Sequence, residues 1–297
     1  MRRRYLTLDV FTLQRYYGNP LAVVLESEGL QTVAMQTIAR EFNYPETVFV
    51  LPAADSAHRA CLRIFTPAAE LPFAGHPTVG TAVALARAGG GAQQNFVLEE
   101  EIGLVACEVA LRDADSGEAT FVLPALPAEA GKAPELAHMA AALSLDPADI
   151  GGEFAPACWS AGIAFVFVPV RSLAAMKKAK PDAARFESVF GTGSPPNVYL
   201  FCREAEMPGS DFHVRMFAPA IGIPEDPATG SAAAGFGGLL TAQARLSDGT
   251  HRIRIEQGYE MGRPSQITLT LTVANGTLTR GTIGGGAVVV CEGTIEA

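Results

Sequence analysis

Scarcities narrow the field. Cysteine is scarce: five in 297 residues, at positions 61, 107, 158, 202 and 291. They are scattered and odd in number, and no Cys-x-x-Cys pair occurs, so no disulfide framework is indicated and a reducing cytoplasm is the simplest reading. The five histidines are equally dispersed and suggest no metal site. Positive charge is also short: 22 Lys and Arg against 31 Asp and Glu give a net charge of −9. With no basic stripe, a nucleic-acid partner is not expected. No apolar run of about 20 residues exists to cross a membrane. The short basic run Arg2 to Arg4 leads into a stretch that Asp9 interrupts, so no signal-peptide core follows. The glycine triplets at 89–91 and 284–286 lack the Lys-Ser/Thr of a P-loop and the spacing of a dinucleotide fingerprint, and both read as turns.

What is present is enough apolar residue, 48%, to bury two cores, in a length that suits about two domains. A repeat argues for two independently. Residues 65–82 read FTPAAELPFAGHPTVGTA, and about 150 residues later 217–232 read FAPAIGIPEDPATGSA. Phe65, Pro67, Ala68 and Pro72 match Phe217, Pro219, Ala220 and Pro224. After a two-residue difference in loop length, His76-Pro77, Gly80 and Ala82 match Asp226-Pro227, Gly230 and Ala232. A solenoid would repeat every 20–50 residues or so, so this spacing points to a duplicated domain. A second echo agrees: Phe96 to Glu99 follows the first copy as Ile253 to Glu256 follows the second.

Each copy reads as a strand, a proline-punctuated loop and a helix. The helices are expected to begin near Pro77 and Pro227, since proline suits a first helical turn. Asp226 then stands in an N-cap position, with His76 in the matching place. Both helices open with small residues, which let a backbone or a ligand come close, and a helix N-terminus favours carboxylates and phosphates. Two such ends related by pseudo-symmetry would converge on a cleft between the domains; the alternative is a pair of fold-stabilising caps with no ligand.

Taken in order, the chain predicts a strand over 5–11, a turn at Gly18 to Pro20 and a strand over 21–25. A helix of about three turns starts from Leu30, and a strand runs over 48–51. Glu46 falls at that helix-to-strand junction, either as a surface charge or as a group aimed inward. Strands near 96–111 and 120–123 follow, then a proline-rich link at 124–134 and a helix near 135–144. Next come a strand over 163–170, helices around 172–190, a loop at 191–196 and a strand over 198–202. The tail reads as strands at 252–256, 266–273, 278–283 and 286–291. The class is α+β: two pseudo-symmetric domains, each a curved sheet wrapped around a central helix. The expected bounds are 1–126, 127–280, and a terminal strand segment, 281–297, that crosses back to the first half.

The motifs DVFT at 9–12, GNP at 18–20, Glu46-Thr47, GHPTVGTA at 75–82, EDPATGSA at 225–232 and QGYEMGRP at 257–264 resemble the PhzF-like family of phenazine-biosynthesis isomerases, which shares the diaminopimelate-epimerase fold. The resemblance spans essentially the whole chain. It implies that Glu46 is the acid/base. It implies that His76 and Asp226 hold the substrate, helped by Gly75, Gly230 and Ser231. Family members often have serine before the glutamate; here Pro45 stands there, which removes a hydroxyl partner and stiffens the loop.

The related epimerases and racemases use two cysteines, one per half, and this chain has none in those places. A two-thiol mechanism is therefore set aside in favour of one carboxylate that takes a proton and returns it elsewhere. In the family's reference reaction, trans-2,3-dihydro-3-hydroxyanthranilate is isomerised to an aminoketone. By resemblance, Glu46 moves the proton, Asp226 faces the substrate amine, His76 bonds the hydroxyl or carboxylate, and the helix ends take the carboxylate. The partner expected is a small-molecule carboxylate. No cofactor, metal, nucleic acid or membrane is implied, and family members are often homodimers. The alternative is a non-catalytic binder of small carboxylates on the same scaffold. His58, His138, His213 and His251 lack any motif context and are assigned no role.

Overall fold

Alternating apolar and polar residues are the mark of a half-buried strand, and in the computed structural model most of the chain is sheet, with six α-helices among the described residues. Those residues are 1–191 and 193–297; Thr192, in the loop read at 191–196, lies outside them. The chain divides into two units, Met1–Pro124 with Ile283–Ala297, and Ala125–Thr282.

In unit 1 the elements are β1 (Arg2–Val10), β2 (Asn19–Val24), α1 (Thr32–Phe42), β3 (Glu46–Leu51), β4 (Ala60–Phe65), β5 (Glu70–Leu71), α2 (Gly75–Gly89), β6 (Gln93–Glu100), β7 (Gly103–Leu111) and β8 (Ser116–Val122). In unit 2 they are β9 (Ala128–Glu129), α3 (Leu136–Ala142), β10 (Ala157–Ser160), β11 (Ala164–Pro169), α4 (Leu173–Lys178), α5 (Ala183–Val189), β12 (Val198–Cys202), β13 (Phe212–Ala218), β14 (Ile223–Asp226), α6 (Gly230–Gln243), β15 (Gly249–Gln257) and β16 (Ser265–Ala274). The last strand, β17 (Thr277–Glu296), starts in unit 2 and runs on into unit 1.

Pairing in unit 1 closes on itself. β1 lies antiparallel to β2, β2 parallel to β3, β3 antiparallel to β4, and β4 parallel to β6. β6, β7 and β8 form a meander. β17 then pairs with both β8 and β1. The result is a closed barrel, which leaves no sheet edge in the ring. α2 runs inside it against β1, β2, β3, β7 and β8, and every residue from Gly75 to Ala86 is buried. On the outer face α1 packs Met35 and Ala39 against Val24, Phe49 and Phe65. Strands covered on both faces read as unbroken apolar runs, which is why Val48 to Val50 shows no alternation.

The same sequence of pairings recurs in unit 2. β10 is antiparallel to β11, β11 parallel to β12, β12 antiparallel to β13, β13 parallel to β15, and β15 antiparallel to β16. α6 packs on β9, β10, β11 and β16 and is buried from Gly230 to Leu240. The outer face carries α3, α4 and α5, with Met139, Leu143, Met176, Phe186 and Phe190 in one core with Val166, Val198 and Leu200.

Two expectations are corrected. The residues 284–286 make no turn: they lie inside β17. Their glycines answer to crowding instead. A Cβ at Gly284 would stand 2.4 Å from Thr120 Oγ1, and one at Gly286 2.7 Å from the Thr12 carbonyl. The motif helices also start elsewhere. α2 begins two residues before Pro77, with Ala74 at its N-cap, and α6 begins three residues after Pro227, with Thr229 at its N-cap. Asp226 therefore ends β14 and is not the N-cap of α6. Side chains of Gln257 and Ser265 bind the backbone from Asp226 to Thr229 and hold it out of the helix. Neither helix has a side-chain cap.

Candidate active site

The unit 1 group is built where α1 hands over to β3. α1 stops at Asn43, whose φ of +52° is left-handed, a conformation asparagine tolerates better than most residues. Tyr44 and Pro45 complete the turn. Glu46 is then the first residue of β3, opposite Leu21 of β2. It is 9% exposed, so the surface-charge alternative fails. His76, in the first turn of α2, is also buried, and its Nε2 lies 3.2 Å from Glu46 Oε2.

This contact is not an ion pair. Burial pushes the His76 imidazole down to about 3, against a hydrogen bond to the Pro20 carbonyl that works the other way, so the ring is uncharged at neutral pH. A neutral imidazole has one N–H. The ring gives it to Pro20, and Nε2 makes no hydrogen bond of good geometry. Nε2 is thus an acceptor, and the contact becomes attractive when Glu46 carries a proton. The arrangement suits a carboxyl that picks up a proton and keeps it for a time. Gly75 precedes His76 as the first residue of the helix, buried and uncapped.

In unit 2, Asp226 is buried at the end of β14. Thr229 Oγ1 donates to its Oδ2 at 2.5 Å. Gln257 fixes the loop from behind: its Nε2 donates to the Asp226 carbonyl at 2.7 Å and to Thr229 Oγ1 at 3.0 Å, and its Oε1 accepts the Thr229 N–H at 3.0 Å. Ser265 Oγ donates to the Pro227 carbonyl. Gly258 has φ +80°, and a Cβ there would lie 2.4 Å from the Arg263 carbonyl and 2.6 Å from that of Pro227, so the backbone of this segment tolerates only glycine. Gly230 and Ser231 are the first two residues of α6, both buried.

Both groups stand on the same scaffold of charged side chains. Arg63 grips Glu70 through two hydrogen bonds and lies over Phe65. Arg215 grips Glu225 in the same way and lies over Phe217, and it also donates to the carbonyls of Met176 and Ala179. Glu99 accepts two consecutive backbone N–H groups, of Ala54 and Asp55, and contacts His58 at 2.7 Å. These contacts, the Ala54 N–H foremost, hold Glu99 down to about 2. Glu256 accepts the N–H groups of Glu206 and Met207 and contacts His213 at 2.7 Å. His213 is fully buried and also reaches Glu260. Burial alone would lower it, but Glu256 and Glu260 outweigh burial and lift it to about 9, so it stays protonated.

His58 and His213 therefore do have a role, which their isolation in the sequence concealed. The signal that could have found them is the echo ending in Glu99 and Glu256, since a carboxylate closing an apolar strand calls for a partner. Strand register adds another residue. Thr47 pairs with Phe65 in unit 1, and Val198 with Phe217 in unit 2. Because Phe65 matches Phe217, the counterpart of Glu46 is Asn197. It is 8% exposed, and its Nδ2 donates to the Ala164 carbonyl.

A fold of this topology carrying these motifs defines a class, and comparison agrees. The family model described as phenazine biosynthesis-like protein matches residues 8–293, and the chain belongs to that family, the PhzF family. It is 48% identical over 301 residues to an uncharacterized isomerase of Mesorhizobium japonicum, covering 99% of this chain and 98% of the other. It is 35% identical over 268 residues to a trans-2,3-dihydro-3-hydroxyanthranilate isomerase of Pseudomonas aeruginosa, covering 89% and 88%. Among solved structures, a PhzF-family phenazine biosynthesis protein of Bacillus anthracis matches all of both chains with a TM-score of 0.89 at 26% identity. A hydroxyproline epimerase of Agrobacterium vitis, at 18% identity and a TM-score of 0.63 over 99% and 92%, shares the fold.

Proposed function

We propose that this chain is an isomerase that moves a proton between two carbons of a small amino- or hydroxy-carboxylic acid, with Glu46 carrying the proton. The observation that weighs most is a buried carboxyl at the head of β3, 3.2 Å from an uncharged imidazole. Catalysis by a positioned general base contributes about 10²–10⁴-fold. The kinship with isomerases supports the reaction class. The relative named for trans-2,3-dihydro-3-hydroxyanthranilate makes that compound the first substrate to try.

In this reading His76 bonds the substrate hydroxyl or carboxylate and steadies the protonated form of Glu46. Asp226, held by Thr229 and Gln257, faces the substrate amine. The uncapped starts of α2 and α6, with Gly75, Gly230 and Ser231, receive the carboxylate. A homodimer, drawn from the family, and a cytoplasmic location, drawn from the scattered cysteines, belong to the same reading.

The test is incubation with trans-2,3-dihydro-3-hydroxyanthranilate in heavy water, wild type beside Glu46→Gln. Conversion with deuterium uptake by the wild type alone is expected. Uptake by both proteins would remove Glu46 from the mechanism. Binding without uptake, for this compound and for a panel of small amino and hydroxy acids, would make the protein a carboxylate binder.

A further inference from the structure

One buried carboxyl plays no part in the mechanism above. Glu100 is the last residue of β6 and is 7% exposed. Its Oε1 lies 2.8 Å from Thr78 Oγ1, and its Oε2 is buried with no hydrogen-bond partner. Thr78 Oγ1 lies equally close, 2.8 Å, to the Ala74 carbonyl, one turn back at the start of α2. A threonine hydroxyl has a single hydrogen. Two acceptor oxygens at that distance both make hydrogen bonds only if one of them brings a hydrogen of its own. A backbone carbonyl has none to bring, which leaves Glu100.

Register shows what the position is for. Cys61 pairs with Glu99 in unit 1, and His213 with Glu256 in unit 2. With Arg63 matching Arg215, the residue after each glutamate is also equivalent: Glu100 in unit 1, Gln257 in unit 2. Gln257 is an uncharged donor to a threonine hydroxyl, which passes the bond on to Asp226. Glu100 stands in the same place before the threonine hydroxyl that bonds Ala74.

We propose that Glu100 is a positioning residue that works as an uncharged carboxylic acid: its O–H donates to Thr78 Oγ1, which donates to the Ala74 carbonyl. It thereby fixes the start of the helix that holds His76 against Glu46. In unit 1 it does what Gln257 does in unit 2. The surroundings agree. Burial pushes Glu100 up to about 8, against the Thr78 bond. From the neighbouring strands the titratable groups that feel it are the thiols of Cys61 and Cys107, and from α2 the facing group is the Thr78 hydroxyl. Both thiols are pushed up by burial, Cys107 to about 12, so they stay neutral where Glu100 titrates.

Two measurements test this, and the first needs no substrate. Infrared difference spectra with labelled glutamate should show a protonated carboxyl at neutral pH that titrates near 8 and is missing from Glu100→Gln. Absence of that band from the wild type at pH 6 to 7 would overturn the proposal whatever the protein catalyses. The second measurement rests on the isomerase reading. Glu100→Gln should keep kcat within about threefold and lose the alkaline fall in activity that ionisation of Glu100 imposes on the wild type, whereas Glu100→Ala should lose about tenfold or more at every pH. If Glu100→Gln falls as far as Glu100→Ala, or keeps the same alkaline limb, Glu100 is not a neutral positioning donor. If no variant and no wild type turns anything over, the isomerase reading fails while the spectrum still decides the state of Glu100.

Discussion

At the head of the strand that runs parallel to its neighbour, unit 1 carries Glu46 and unit 2 carries Asn197. At the matching point of the repeated motif, unit 1 carries His76 and unit 2 carries Asp226. One unit thus sets a carboxyl against an uncharged ring. The other has an amide in the first place and a carboxyl in the second, the latter bonded by Thr229. The supports behind them match almost residue for residue: the Arg–Glu fork, the glutamate that gathers two consecutive N–H groups and a histidine, and a neutral donor one residue on. The supporting contacts recur in both units, while the polar groups they carry differ. Under the proposed function the two units therefore play unequal parts.

The strongest test of that inequality is at Glu46. Glu46→Gln should lower turnover by about a thousandfold with ligand binding retained, and adding Asn197→Asp should restore nothing, because unit 2 has Asp226 where unit 1 has His76. Recovery in the double variant, measured as deuterium uptake, would make the two halves interchangeable.

Next comes the contrast between the two histidine–glutamate supports. His213 is fully buried between two carboxylates, and removing one partner of a buried charge cluster costs about 3–5 kcal/mol. His213→Gln should therefore lower Tm far more than His58→Gln, whose group meets solvent. The pH dependence follows from the direction of the shift. His213 titrates near 9 in the folded chain against 6.5 unperturbed, so its contribution is complete below about 6.5 and lost as pH rises through about 9. Denaturant melts from pH 6 to 10 should show this loss in the wild type and not in the variant.

The arginine forks give a smaller contrast. Arg215→Lys gives up the bidentate grip and the bonds to two buried carbonyls, at about 2–3 kcal/mol. Arg63→Lys, at a pair 28% and 29% exposed, should cost about 1 kcal/mol or less. Equal losses would mean that the carbonyls of Met176 and Ala179 contribute nothing.

A last contrast is read in acid. His76 is held neutral down to about 3, while the unfolded chain takes up that proton near 6.5. Stability should fall as pH drops through that window, and His76→Gln should flatten the slope.

Much of this was legible in the sequence where chemistry and spacing repeat together. The two motif loops, the strands before them and the helices after them show through because Phe65 and Phe217, His76 and Asp226 stand in matching company. Glu46 could be placed at its junction because an apolar run begins there. Asn197 could not be found, since nothing around it matches Asn43 to Thr47, and only the pairing of Thr47 with Phe65 and Val198 with Phe217 brings the two into correspondence. His58 and His213 stayed hidden for a related reason: one precedes its strand and the other lies in it, so their shared task leaves no common spacing. The glycines at 284–286 misled because a turn and a crowded strand both select for a missing side chain.

β17 reaches unit 1 last. Its final residues fill the gap between β1 and β8, yet they are made some 160 residues after β8 ends. On a ribosome the first unit must wait, with its sheet open, until the second unit has been synthesised and the chain returns. During that time β1 and β8 present bare edges of the kind that recruit other strands. The closing strand is therefore also a timing device: a nascent chain cut short of it holds all of α2 and nothing to seal the wall around it.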